Sequence, residues 1–167
     1  MEAFTEKQSF IKSWWPLSIA FFIMAAIVPL LNYNNGQLSV PDMMFPVFVL
    51  LSSGIFVFFF TLSSRVDETA VFVKFGLFQR SYKVFKWEDI KTVEVRKYNP
   101  IMEYGGWGYK GLWKKNRAYS VSGNMGLQIT FHNNSKVLIG TKEHDKMKTY
   151  LLYLKDKYQI AALTAIN

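Results

Sequence analysis

Between Asn99 and Asn116 the chain gathers the residue types best able to hold a ligand. Gly105, Gly106, Gly108 and Gly111 alternate with Tyr104, Trp107, Tyr109 and Trp113, and Lys110, Lys114, Lys115 and Arg117 close the stretch. Glycine reaches positive φ and lets backbone approach closely, so consecutive amides here can form an anion-binding concavity. Indole beside ammonium also suits a lipid headgroup layer, with the ring wedged at the interface and the cation in water. Base stacking on a basic groove is a third chemistry, but no nucleic-acid motif accompanies it, and nucleic acid is not an expected partner. A packing role competes with all three: Trp107 plugs one end of a barrel while the glycines turn the chain. The candidate lipid or partner contacts are therefore Tyr104, Gly105, Gly106, Trp107, Tyr109, Lys110, Trp113, Lys114, Lys115 and Arg117.

Catalytic chemistry finds less to work with. His132 falls on the polar side of an alternating segment and His144 in a first helical turn, and the spacing of the two matches no metal-ligand pattern. Cysteine is absent, which removes disulfides, thiolate ligands and thiol nucleophiles. Glu88-Asp89 is an adjacent carboxylate pair in a turn, where solvation is the ordinary fate. The nucleophile elbow and the phosphate-binding loop are both missing. The expectation is a protein that is not an enzyme and uses no cofactor or metal.

The elements that must position these residues show in the periodicity. Val71, Val73 and Phe75 alternate as a half-buried strand, Gly76-Leu77-Phe78 turns, and Tyr82–Lys86 returns. Trp87 and Ile90 are spaced for one helical turn, and Val93 and Val95 resume a strand to about Lys97. Ala118–Val121 is a short strand candidate. Leu127, Ile129 and Phe131 alternate with polar residues, Asn133-Asn134 turns, and Val137 and Ile139 return. Thr141 caps a helix whose stripe is Met147, Tyr150, Leu151, Leu154 and Tyr158. Six or seven antiparallel strands and a closing C-terminal helix predict a small barrel or bent double sheet.

Ahead of this domain lie two apolar runs without a charge, residues 14–31 and 43–62. As helices they reach roughly 27–30 Å, near the thickness of a bilayer core. They predict a two-helix transmembrane hairpin after a short tail, with residues 63–167 as one cytoplasmic domain. Basic residues flank the outer ends, at Lys7, Lys12 and Arg65, and avoid the loop 32–42. That pattern places both termini in the cytoplasm of a multi-pass protein of the bacterial inner membrane. Trp14 and Trp15 fit an interfacial belt, and Ala25-Ala26 and Ser52-Ser53-Gly54 would allow close helix packing. A cleaved signal peptide and a buried helical hairpin are the weighed alternatives. No ionisable group lies inside either run, so an ion path is poorly supported.

The net charge is +8, and residues 63–167 hold 18 Lys+Arg against 9 Asp+Glu. Such a domain suits an anionic leaflet, where each nearby Lys or Arg contributes about 1 kcal/mol. Solubility alone also explains a modest excess.

Four stretches in this order carry a resemblance: Val71-Phe72-Val73-Lys74-Phe75-Gly76, Trp87-Glu88-Asp89-Ile90, Gly126-Leu127-Gln128-Ile129 and Leu138-Ile139-Gly140-Thr141. The chain resembles the bacterial pleckstrin-homology-like proteins in which a two-helix hairpin precedes the domain. Glu103-Tyr104-Gly105-Gly106-Trp107-Gly108 looks like the signature of an uncharacterised subgroup. The resemblance implies a membrane-anchored binding or scaffold module. Its expected partners are the lipid bilayer, anionic headgroups, and a protein partner or a second copy. An accessory subunit of a membrane transport complex, with the hairpin as its working part, is the alternative. Phosphoinositide recognition does not carry over, because Asp67-Glu68 occupies the first turn where clustered basic residues belong.

Overall fold

The computed structural model describes residues 2–10, 19–20, 23, 27, 31, 44, 47–48, 60–76, 79–111 and 115–163. The chain divides into two units, residues 1–8 with 61–167 and residues 9–60. The first is mainly β. Its strands form a four-stranded sheet of order β1-β2-β3-β4 and a five-stranded sheet of order β5-β8-β9-β7-β6.

In the first sheet, β1 (Phe4–Ser9) precedes the long insertion, and β2 (Thr61–Val66) follows it. Strand β1 buries Phe4, Glu6 and Gln8 and exposes Thr5 and Lys7, a period-two pattern with polar residues on the inner side. Strands β2 and β3 (Ala70–Phe75) pair antiparallel around Asp67. The Asp67 carboxylate accepts from Thr69 N at 2.9 Å, Thr69 Oγ1 at 2.6 Å and Ala70 N at 3.1 Å. Short β4 (Lys83–Lys86) completes the sheet, with Lys83 opposite Val73 and Phe85 opposite Val71. Those two buried valines place Lys83 and Phe85 on the inner face.

A 3-10 turn, Trp87–Asp89, leads into the second sheet, whose β5 (Ile90–Lys97) pairs with β8 (Met125–Phe131). Trp87 is buried, and its Nε1 donates to the Asp67 carbonyl at 3.0 Å, fastening this turn to the β2–β3 corner. Next come helix α1 (Pro100–Tyr104), β6 (Gly108–Lys110) and β7 (Asn116–Ser120). Strand β9 (Lys136–Gly140) lies between β8, which it pairs antiparallel, and β7, which it pairs parallel. Val93, Leu127, Ile129, Val137 and Ile139 are fully buried. Helix α2 (His144–Tyr158) adds Met147, Tyr150, Leu151 and Leu154 to the core, the predicted stripe, while Tyr158 stays exposed.

Two expectations are corrected. The fold class is mainly β, not a membrane α-hairpin joined to an antiparallel domain: among the described residues no helix is long and apolar enough to cross a membrane. The multi-pass inner-membrane location with cytoplasmic termini rested on those spans and is corrected with them. Hydropathy ran past a conformational boundary, because Phe60 is not helical and Thr61-Leu62, counted in the second run, begin β2. Within the runs, Ile19, Ala20, Ile23, Ile27, Leu31, Met44, Val47 and Phe48 are helical and exposed. Trp14, Trp15, the loop 32–42 and the small residues at 25–26 and 52–54 lie outside the described residues, as do Leu77 and Phe78. The sheets also differ from the expected six or seven antiparallel strands, numbering nine among the described residues with one parallel pairing.

A cationic cleft as the candidate functional site

The glycine-aromatic stretch is folded rather than looped. Asn99 caps α1 by accepting from Ile101 N and Met102 N, each at 3.1 Å, and Pro100 occupies the first turn. Gly105 ends the helix at φ +71, a left-handed conformation that glycine adopts at little cost. Glu103 receives Arg96 at 2.6 Å and Asn99 N at 2.7 Å, and Arg96 also donates to Gln128 Oε1 at 2.9 Å. The Arg96 hydrogen bond, the largest influence, holds the Glu103 carboxyl below the usual range against the opposing effect of burial. Tyr104 packs edge-on against Tyr98, in a small core with Ala118 and Leu138.

Several contact candidates therefore spend their surface internally. Trp107 is half-buried and donates from Nε1 to the Gly123 carbonyl at 2.9 Å, tying the stretch to the β7–β8 turn. Gly106, at φ +111, has its N–H bonded to the Pro100 carbonyl at 2.8 Å. Tyr109 stacks on Tyr119 with centroids 4.7 Å apart and tilts against Phe75. Lys110 is half-exposed at the end of β6, and Lys115 is exposed. Trp113 and Lys114 lie outside the described residues.

Arg117 goes elsewhere. It lines a cleft of about 390 Å³ with Phe85, Asp89, Phe131, His132 and Asn133, and Glu88 and Ser135 complete the wall. The floor is an edge-to-face pair, Phe85 and Phe131, 5.5 Å between centroids. Lys83 Nζ lies 5.8 Å from the Phe85 ring centroid, within cation–π range. The far rim is acidic, though Glu88 already holds Lys86 at 3.1 Å. The cleft thus joins β4, the turn after it, the start of β7 and the β8–β9 turn.

The electrostatics single out the cations. Arg117 and Lys83 enter no ion pair among the described residues, while Arg65 pairs with Asp67 and Arg96 with Glu103. Burial, then the Arg117 charge, pushes the Lys83 amine below its usual value, and Tyr109 only partly offsets this. Burial also raises the Tyr119 hydroxyl strongly, next to its stacked neighbour Tyr109. Two like charges from different sheets, neither in an ion pair among the described residues, favour an anion placed against both, with Glu88 and Asp89 confined to the far rim. Among the described residues no group of three His, Asp or Glu is arranged to hold a metal ion.

Of the eight candidates among the described residues, Arg117 alone reaches this cleft. Sequence reading weighs Lys83 only with Lys86, as a basic cluster for phosphoinositide that the pair does not rebuild, and passes over Phe85 and Phe131, although Lys83 and Phe85 share an inner face by simple alternation. The signal was there: a lysine on the apolar face of a strand is unusual enough to ask for a partner. The chain matches no protein-family profile and no curated protein.

Proposed function

We propose that the β unit is a non-catalytic binding module of the pleckstrin-homology-like kind that engages an acidic protein partner at this cleft. The observation that carries the reading is a pair of cations from separate sheets that enter no ion pair among the described residues: Arg117 lines the cleft and Lys83 stands beside it near the Phe85 ring, with Glu88 and Asp89 on the far rim. The four-plus-five strand arrangement and the C-terminal helix support the architecture. A protein is favoured over a lipid surface for two physical reasons. Arg117 is half-buried in a concave wall, which a flat bilayer meets poorly. Glu88 and Asp89 on the rim repel a uniformly anionic plane, whereas a peptide can match acid to Arg117 and base to Asp89.

Immobilised poly-L-glutamate and phosphatidylglycerol vesicles separate the outcomes. The full chain is expected to bind the polypeptide in a salt-sensitive way, and Lys83→Glu with Arg117→Glu weakens that binding about tenfold or more, since each charged hydrogen bond contributes about 1.5–3 kcal/mol. Vesicle binding that is stronger than polypeptide binding and survives the double reversal would overturn the protein-partner reading.

A further inference from the structure

Strand β4 ends the first sheet. Its recorded pairing is with β3, and among the described residues no backbone hydrogen bond from Lys83–Lys86 reaches any other strand. In an antiparallel pair alternate residues turn their N–H and C=O outward, so half of this short strand presents unpaired backbone groups along its outer edge. The other sheet borders differ. Strand β1 is tied through Gln8 and Glu6 to Gly140, Thr141 and Lys142, β5 is packed by the C-terminal elements, and β6 spans three residues.

Along β4 the side chains alternate in character as well as direction. Lys83 and Phe85 face inward, Phe85 lining the cleft and Lys83 beside its ring, while Val84 and Lys86 face out, with Val84 48% exposed. Lysines on an edge strand discourage pairing with another edge of like charge. They do the opposite toward a strand bearing carboxylates. Beside them the cleft supplies an aromatic floor and Arg117, which enters no ion pair among the described residues, with Glu88 and Asp89 on its far rim.

We infer that the partner segment is an extended acidic strand that adds to the outer edge of β4, its backbone pairing with β4 and its inward carboxylates meeting Lys83 and Arg117. This rests on the acidic-partner reading and names its binding mode. An added strand lies about 4.8 Å from β4, with side chains alternating between cleft and solvent. A sequence alternating acidic and β-branched residues therefore satisfies both requirements.

The test uses the full chain labelled with 15N and the peptide acetyl-(Glu-Val)4-amide, beside the same peptide N-methylated at every residue. The unmodified peptide is expected to bind, to slow hydrogen exchange at alternate amides of Lys83–Lys86, and to bind about tenfold more tightly than the methylated form, which has no backbone donor on either edge. Equal binding of both peptides, lost in Lys83→Glu with Arg117→Glu, overturns strand addition and leaves the acidic-partner reading standing. Protection at β6 instead of β4 also overturns it. Failure of both peptides and of poly-L-glutamate to bind removes both proposals together.

Discussion

Asp67 shows how a residue that looks like a deterrent from its charge becomes structural once its partners are known. Burial raises its carboxyl, but the hydrogen bonds from Thr69 and Ala70 and the Arg65 charge together outweigh that and leave it lowered. The sign follows: unfolded Asp titrates near about 3.9, so this contribution is full above that pH and is lost as pH falls through the lower folded value. Asp67→Ala is expected to cost about 1–3 kcal/mol in urea unfolding at neutral pH, because the buried Ala70 amide and the part-buried Thr69 amide lose their acceptor. Asp67→Asn should flatten the acid limb of stability against pH. Lys83 has the same slope in a higher pH window, but there the charged form is the one that burial disfavours. Its folded amine titrates below the unfolded one, so folding gains as pH rises through the folded value toward about 10.4. Lys83→Met should leave stability at neutral pH unchanged or raise it by at most about 0.5 kcal/mol, the charge being largely screened by water, while weakening poly-L-glutamate binding. A large loss of stability would mean that Lys83 has a structural role.

At the scale of elements, α1 is held by more hydrogen bonds than its length requires. Asn99→Ala removes the acceptor for two amide donors and should cost about 1 kcal/mol, read by chemical denaturation. Glu103→Ala breaks the link to Arg96 and should loosen Tyr104 from Tyr98, visible as faster hydrogen exchange in α1. The signals for α1 were present as Asn99-Pro100 at its start and Gly105 at its end, but glycine density drew attention to the loop reading. Strands β3, β4, β5, β8 and β9 and helix α2 were legible because each buries apolar residues at its own period. Strand β1 was not, since its inward residues include Glu6 and Gln8 and its neighbour β2 follows an insertion. Strand β2 hid inside an apolar run. The parallel pairing of β7 with β9 is set by contacts that no local pattern encodes. The same limit applies to the cleft, whose two cations lie on different sheets and meet only after folding.

For the molecule as a whole, the consequential feature is that the β unit is discontinuous in sequence. Residues 1–8 belong with 61–167, and the insertion leaves between two neighbouring strands. Phe10 N–H donates to the Phe60 carbonyl at 3.0 Å and their rings lie 6.0 Å apart, so the ends of the insertion are already adjacent. A chain starting at Thr61 therefore loses a strand, exposes the edge of β2 and removes the buried carboxylate that accepts from Thr141 Oγ1 at 2.6 Å and Lys142 N at 2.9 Å. Replacing residues 10–60 by a short Asn-Gly turn keeps β1 in place, because β1 and β2 are neighbours and a short turn spans the gap that the Phe10–Phe60 hydrogen bond already closes. The shortened chain with β1 is expected to unfold cooperatively and to bind poly-L-glutamate like the parent. Thr61–Asn167 alone should lose several kcal/mol of stability, a hydrogen-bonded buried charge and a strand's packing together exceeding what one mutation costs. Equal urea midpoints for the two would show that β1 is dispensable. Binding that vanishes in the shortened chain while its fold is kept would move the partner surface to the insertion.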